Sequence, residues 1–131
     1  GFRFSENYGR LAENVVFIAL KRKLNLNSNM ELFYWKDIHH SEVDFVIKDG
    51  LKVMNLIKVF RNIKDEKTRN RELRSLQKAM KELDVATAII ITEGAEDEEK
   101  LNGHTVKIVP LWKWLLSEES LSAAKTGSIS L

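Results

Sequence analysis

At 131 residues the chain fits one domain with a sizeable core, and 44% hydrophobic with 31% charged residues describes a folded, water-soluble protein rather than a disordered one. No apolar run is long enough to span a membrane, and the absence of cysteine excludes disulfides and thiolate metal sites, which is compatible with the cytoplasm. The net charge of +2 is too small to imply a nucleic-acid partner by itself. Because the chain opens at Gly1 and runs almost at once into a helical pattern, it is expected to be a piece of a longer polypeptide.

Ser5 suits an N-cap, with Glu6 in the first turn, and opens a helix to about Leu24. Its apolar residues Tyr8, Leu11, Val15, Ile18 and Leu20 fall near helical spacing. Glu13 lies off that stripe, at the edge of the core or in solvent, with Arg10 three residues before it. Asn25 to Asn29 is a polar connection, and Met30 to Ile38, rich in aromatics, predicts a strand. His39-His40-Ser41 leads into Glu42–Ile47, where strict alternation would put Glu42 and Asp44 on one face and Val43, Phe45 and Ile47 on the other. Lys48-Asp49-Gly50 reads as a turn and Leu51–Val59 as a more apolar strand.

Lys64-Asp65-Glu66 opens a second helix reaching about Leu83, striped by Leu73, Leu76, Met80 and Leu83. Val85–Thr92 is β-branched almost throughout, as in a strand buried on both faces. Strand, helix, strand makes a right-handed crossover if the two strands are parallel. Glu93 to Gly103 reads as an acidic loop, and His104–Val109 as a short strand. Pro110 suits the start of a helix, Leu111–Leu116, whose Trp112 and Trp114 are expected as packing anchors. Ser117–Leu131 is small, polar and aperiodic, and is expected to be a mobile tail or an extension added for expression.

Several residues carry possible chemistry. Acids at the edge of a buried hairpin are costly unless solvent or a cation meets them, which makes Asp44, beside Glu42, the best single functional candidate. Lys58 to Lys81 holds nine basic residues against three acidic ones. Such a cluster could attract phosphate, with Arg61, Arg69, Arg71, Arg74 and Lys78 as the contacts, or it could simply be a solvated helix face. His39 and His40 are adjacent on an extended stretch, point opposite ways and make a poor ligand pair. No glycine-rich phosphate loop and no nucleophilic triad pattern occurs.

The order helix, three strands, helix, strand resembles the core of the restriction-endonuclease-like fold: an α/β domain with a mixed sheet of four to five strands flanked by helices. More closely, the chain resembles the C-terminal region of archaeal P-loop ATPases of the AAA/STAND kind. The matching pieces are Phe2-Arg3-Phe4-Ser5-Glu6-Asn7-Tyr8-Gly9-Arg10-Leu11-Ala12-Glu13-Asn14, Tyr34-Trp35-Lys36, Glu42-Val43-Asp44-Phe45-Val46, Arg69 to Leu76, Ile90-Ile91-Thr92 and Val109 to Leu116. They span the chain to about Leu116, so that residues 1–116 form the domain and 117–131 the tail.

The resemblance implies a divalent-metal nuclease site with Asp44 on the second core strand and Glu13 on the first helix, and ATP bound only by an N-terminal portion outside this chain. Lys58, however, stands where the family has a metal-binding acid or amide, and Phe60 where it has the catalytic lysine. An ammonium in place of a carboxylate reverses the charge at a cation site. Lys58 is therefore expected to pair with Asp44, provided the hairpin register puts both on one face: a strict two-residue Asp49-Gly50 turn would separate them and a turn one residue longer would align them.

The expected function is a catalytically degenerate, nuclease-like accessory domain that binds nucleic acid, with DNA as the candidate, or the ATPase portion of its own chain. One alternative is an active nuclease in which Glu13, Glu42 and Asp44 hold Mg²⁺ or Mn²⁺ and Lys58 polarises phosphate. The other is a structural or regulatory interaction domain with its acids locked in ion pairs.

Overall fold

The computed structural model describes residues 4–26 and 29–126, with side chains for 8–26 and 29–118. Phe2-Arg3 of the family-like N-terminal stretch, part of the Asn25–Asn29 connection and the last five residues lie outside them. The elements run α1 (Phe4–Asn25), β1 (Met30–Lys36), β2 (Glu42–Asp49), β3 (Lys52–Val59), α2 (Glu66–Glu82), β4 (Thr87–Thr92), β5 (Asp97–Leu101), β6 (His104–Pro110) and α3 (Leu111–Thr126). One six-stranded mixed sheet carries them in the order β1-β2-β3-β4-β6-β5. β1, β2 and β3 form an antiparallel meander, β4 lies parallel to β3 and β6 parallel to β4, and β5 closes the far edge antiparallel to β6.

Two cores flank the sheet. On one face the stripe of α2 (Leu73, Leu76, Ala79, Met80) packs on Val43, Val46, Leu56, Ile90 and Ile108. On the other, Val16 and Leu20 of α1 and Trp114 of α3 pack on Ile47, Ile57 and Ile91. Burying each such large side chain stabilises by roughly 1.5–3 kcal/mol, so both layers are fixed mainly by apolar area. Past its exposed first residue β4 is buried on both faces, with Ile89 half-buried, as its β-branched run predicts.

Four details differ from the sequence expectation. α1 begins at Phe4, so Ser5 lies inside the first turn rather than capping it. The stretch expected as an acidic loop contains β5, whose Asp97, Glu98 and Lys100 are exposed; charge on an edge strand hides the period-2 signal while guarding the edge against pairing. The last helix continues past Leu116 to Thr126, so the first ten residues of the expected tail are helical. Trp114 is the anchor expected of it, at 5% exposure, whereas Trp112 is 61% exposed.

Register decides what the hairpin presents. The turn is Gly50-Leu51, since Asp49 pairs with Lys52, and Gly50 takes the positive φ of 63° that a two-residue hairpin asks of a glycine. By itself this turn would oppose Asp44 to Ile57. An extra residue at Met54 shifts the register by one, pairing Ile47 with Asn55 and Phe45 with Ile57, and so carries Asp44 opposite Lys58. A second bulge lies in β2: Phe33 pairs with Val46 but Trp35 with Val43, so Asp44 and Phe45 together oppose Tyr34. The bulge breaks the expected alternation. Val43 joins the α2 core while Phe45 and Ile47 join the other.

Candidate functional site

The β2 bulge and the ends of β2 and β3 form the floor of a cleft of about 380 Å³, lined by Glu13, His39, His40, Ser41, Glu42, Asp44, Lys58, Val59, Phe60, Arg71, Glu72 and Ser75. Its walls are α1, the β1–β2 connection and the first half of α2. Glu13, Glu42, Asp44 and Lys58, scattered across 46 positions of sequence, are thus brought to one place.

Lys58 lies on the α2 face of β3 and is only 9% exposed. A desolvated ammonium requires oxygen acceptors. The Glu42 carbonyl accepts from Nζ at 2.8 Å, and Glu72 Oε2 of α2 lies 3.0 Å from Nζ. Lys58 therefore pairs with Glu72 and not, as expected, with Asp44. Asp44 instead accepts the Val59 backbone N–H through Oδ2 at 2.7 Å. Burial raises the Asp44 carboxyl above its ordinary range, the Val59 bond and the Lys58 charge work against that rise, and Glu42 and Glu72 add to it.

Glu13 is raised too, chiefly by desolvation, then by Asp44 and Glu42. Tyr34 donates to Glu42 Oε2, and this bond, more than burial, pushes the phenol up to about 12. The carboxylates thus face one another with Lys58 as the cation among them. Among the described residues no three His, Asp or Glu side chains converge closely enough to hold a metal ion. Glu13, Glu42 and Asp44, expected as metal ligands, share the cleft without forming such a group. Phe60 lines the cleft as an aromatic where the resemblance places a lysine, and supplies no charge.

Glu72 is a site residue to which the sequence pattern assigns no role, although it falls within the matching stretch Arg69 to Leu76. The signal was its position four residues before Leu76, on the stripe that also holds Leu73 and Met80; a glutamate on the inward side of a helix needs a buried partner.

Three of the five basic residues expected to contact phosphate are held in ion pairs with acids outside the basic stretch. Arg61 pairs with Glu93 at 2.9 Å, Arg69 with Asp97 at 2.7 Å and with Glu99, and Lys78 with Asp37 at 2.5 Å. Arg71 is exposed at the cleft, 3.6 Å from Glu72, and Arg74 is exposed with no ion pair among the described residues. His39 and His40 are exposed at the cleft mouth; their turn is held by the Asp37 carboxylate, which accepts from the His39 and Ser41 N–H groups. His104 lies in β6, away from the cleft.

Comparison with known proteins identifies the kind of domain this is. The sequence profile of a domain of unknown function, DUF4143, matches residues 8–114. The chain belongs to the DUF4143 family. The matched span of the DUF4143 domain holds every residue of the cleft and both cores up to Trp114. A Methanocaldococcus jannaschii protein named as uncharacterized is 39% identical over 120 residues, which cover 87% of this chain and 26% of that protein. The DUF4143 domain thus spans about a quarter of the length of the relative it matches. No helix among the described residues is long and apolar enough to cross a membrane.

Proposed function

We propose that this DUF4143 domain is a nuclease-like accessory domain of a larger ATPase, that it has lost metal-dependent cleavage, and that it serves in binding. Supporting the fold analogy are the order α, three antiparallel strands, α, parallel strand, and the position of Asp44 at a bulge in the second strand. The observation that carries the loss of cleavage is Lys58: its ammonium lies between the Glu42 carbonyl and Glu72, where a hydrolytic site of this kind would hold its metal. A fixed ammonium neutralises charge but cannot lower the pKa of a bound water as a divalent cation does. The residues present do not fit that metal.

The ion pairs of Arg61, Arg69 and Lys78 occupy three of the five basic residues expected to contact phosphate, which supports a protein surface over nucleic acid as the partner. That surface would be the ATPase portion of the same polypeptide.

The reading is tested by titrating Mg²⁺ and Mn²⁺ into the domain by calorimetry and incubating it with single- and double-stranded DNA. Neither saturable binding nor cleavage is expected. Metal binding that vanishes in Asp44→Ala, together with DNA cleavage, would establish the active nuclease instead. One observation favours that second reading: Glu13, Glu42, Asp44 and Glu72 surround the cleft with more carboxylates than Lys58 neutralises.

A further inference from the structure

Lys58 reaches its cleft from the floor and meets oxygens belonging to two other elements, the Glu42 carbonyl at the start of β2 and Glu72 on α2, while Asp44 lies opposite it in register and bonds to the Val59 N–H instead. This is how a cation is held, by oxygens converging from separate parts of the chain. The surrounding charge agrees. Four carboxylates line the cleft, and the elevated carboxyls of Asp44 and Glu13 reflect crowding among acids as well as burial.

We infer that the cleft is a cation site which the chain fills with its own Lys58 ammonium, with the Glu42 carbonyl and Glu72 as its oxygen donors and Asp44 as a further carboxylate lining the same cleft. The contacts of 2.8 and 3.0 Å suit an ammonium, whereas a divalent Mg²⁺ needs oxygens at about 2.0–2.1 Å and several retained waters. The cradle and a metal therefore exclude each other while Lys58 is present. Removing its side chain leaves two carboxylates and a carbonyl around a space open to water, which is a sufficient inner set for Mn²⁺ completed by solvent. The inference rests on the nuclease-like reading only for the choice of Mn²⁺ as the probe.

The test compares parent, Lys58→Ala and Lys58→Ala/Glu72→Gln by Mn²⁺ calorimetry and by the shift of thermal midpoint with added Mn²⁺. Lys58→Ala is expected to bind at least about tenfold more tightly than the parent and to gain thermal stability on loading, and the double variant to lose most of that gain. Equal Mn²⁺ affinity in parent and Lys58→Ala overturns the inference, as does a double variant that binds as well as the single one. If Lys58→Ala is unfolded alone, recovery of its helical circular dichroism on adding Mn²⁺ or ammonium supports the internal-cation role, and failure to recover overturns it. The two ideas fail separately. Mn²⁺ bound and DNA cut by the parent would refute the loss of cleavage, even if Lys58→Ala binds tighter still.

Discussion

At the residue scale the cleft sets two carboxyls against their surroundings in different ways. Glu72 has an ammonium 3.0 Å away. Asp44 has only a backbone N–H as a bonded partner and is raised by burial above the ordinary aspartate value of 3.8. A carboxyl whose folded pKa exceeds its unfolded one favours the folded state while protonated. That contribution is complete below 3.8 and is lost as pH rises through the folded value. Asp44→Asn keeps an oxygen to accept the Val59 N–H and removes the charge. It should therefore unfold at a higher urea concentration than the parent at pH 7, by about 1 kcal/mol, with the advantage shrinking toward zero as pH falls below 4. A variant less stable than the parent at pH 7 would mean that the Asp44 charge is compensated by more than Lys58.

At the scale of elements, caps and bulges matter more than propensity. Asp65 caps α2, accepting the Thr68 N–H at 3.0 Å and the Thr68 hydroxyl at 2.8 Å, and those bonds hold its carboxyl below the ordinary range. Here the sign is opposite: the stabilising contribution is present above the unfolded pKa and lost as pH falls through the depressed folded one. Asp65→Ala should lower the urea midpoint at pH 7, and the difference from the parent should narrow below pH 3.8. A gap independent of pH would assign the effect to helix propensity instead.

The strands β1 to β4 and β6 were legible in the sequence from their aromatic and β-branched runs, and α2 from the helical period of its apolar stripe. β5 was not, since an exposed edge strand of Asp97, Glu98, Glu99 and Lys100 has no apolar face to alternate. Nor were the two bulges. A bulge is one residue inserted into a ladder, visible only against the partner strand, yet Met54 decides that Lys58 faces Asp44, and the Asp44-Phe45 bulge decides where the acid lies. The gathering of Glu13, Asp44 and Lys58 followed from the resemblance; the partner of Lys58 did not, because Glu72 reaches it from α2, a contact that only the packed structure shows.

At the scale of the whole molecule, the sheet is a wall with a separate core on each side, and the cleft opens where α1 and α2, from opposite faces, pass the ends of β2 and β3. The α1–α3 layer depends on Trp114, which packs with Val16, Leu20, Ile47, Ile57 and Ile91, while Trp112 two residues earlier stands in solvent. Trp114→Ala empties the centre of that core and should cost about 3–5 kcal/mol, a large share of the 5–15 kcal/mol typical of a folded domain. Trp112→Ala should stay within about 0.5 kcal/mol of the parent. The Trp114 indole nitrogen is buried with no hydrogen-bond partner among the described residues. Trp114→Phe therefore sacrifices volume but no bond and should fall between the two, nearer the parent. Urea unfolding of the three variants would measure this order. Equal costs for Trp112 and Trp114 would mean that α3 packs through its exposed side, and would remove the wall against which α1 holds Glu13 over the cleft.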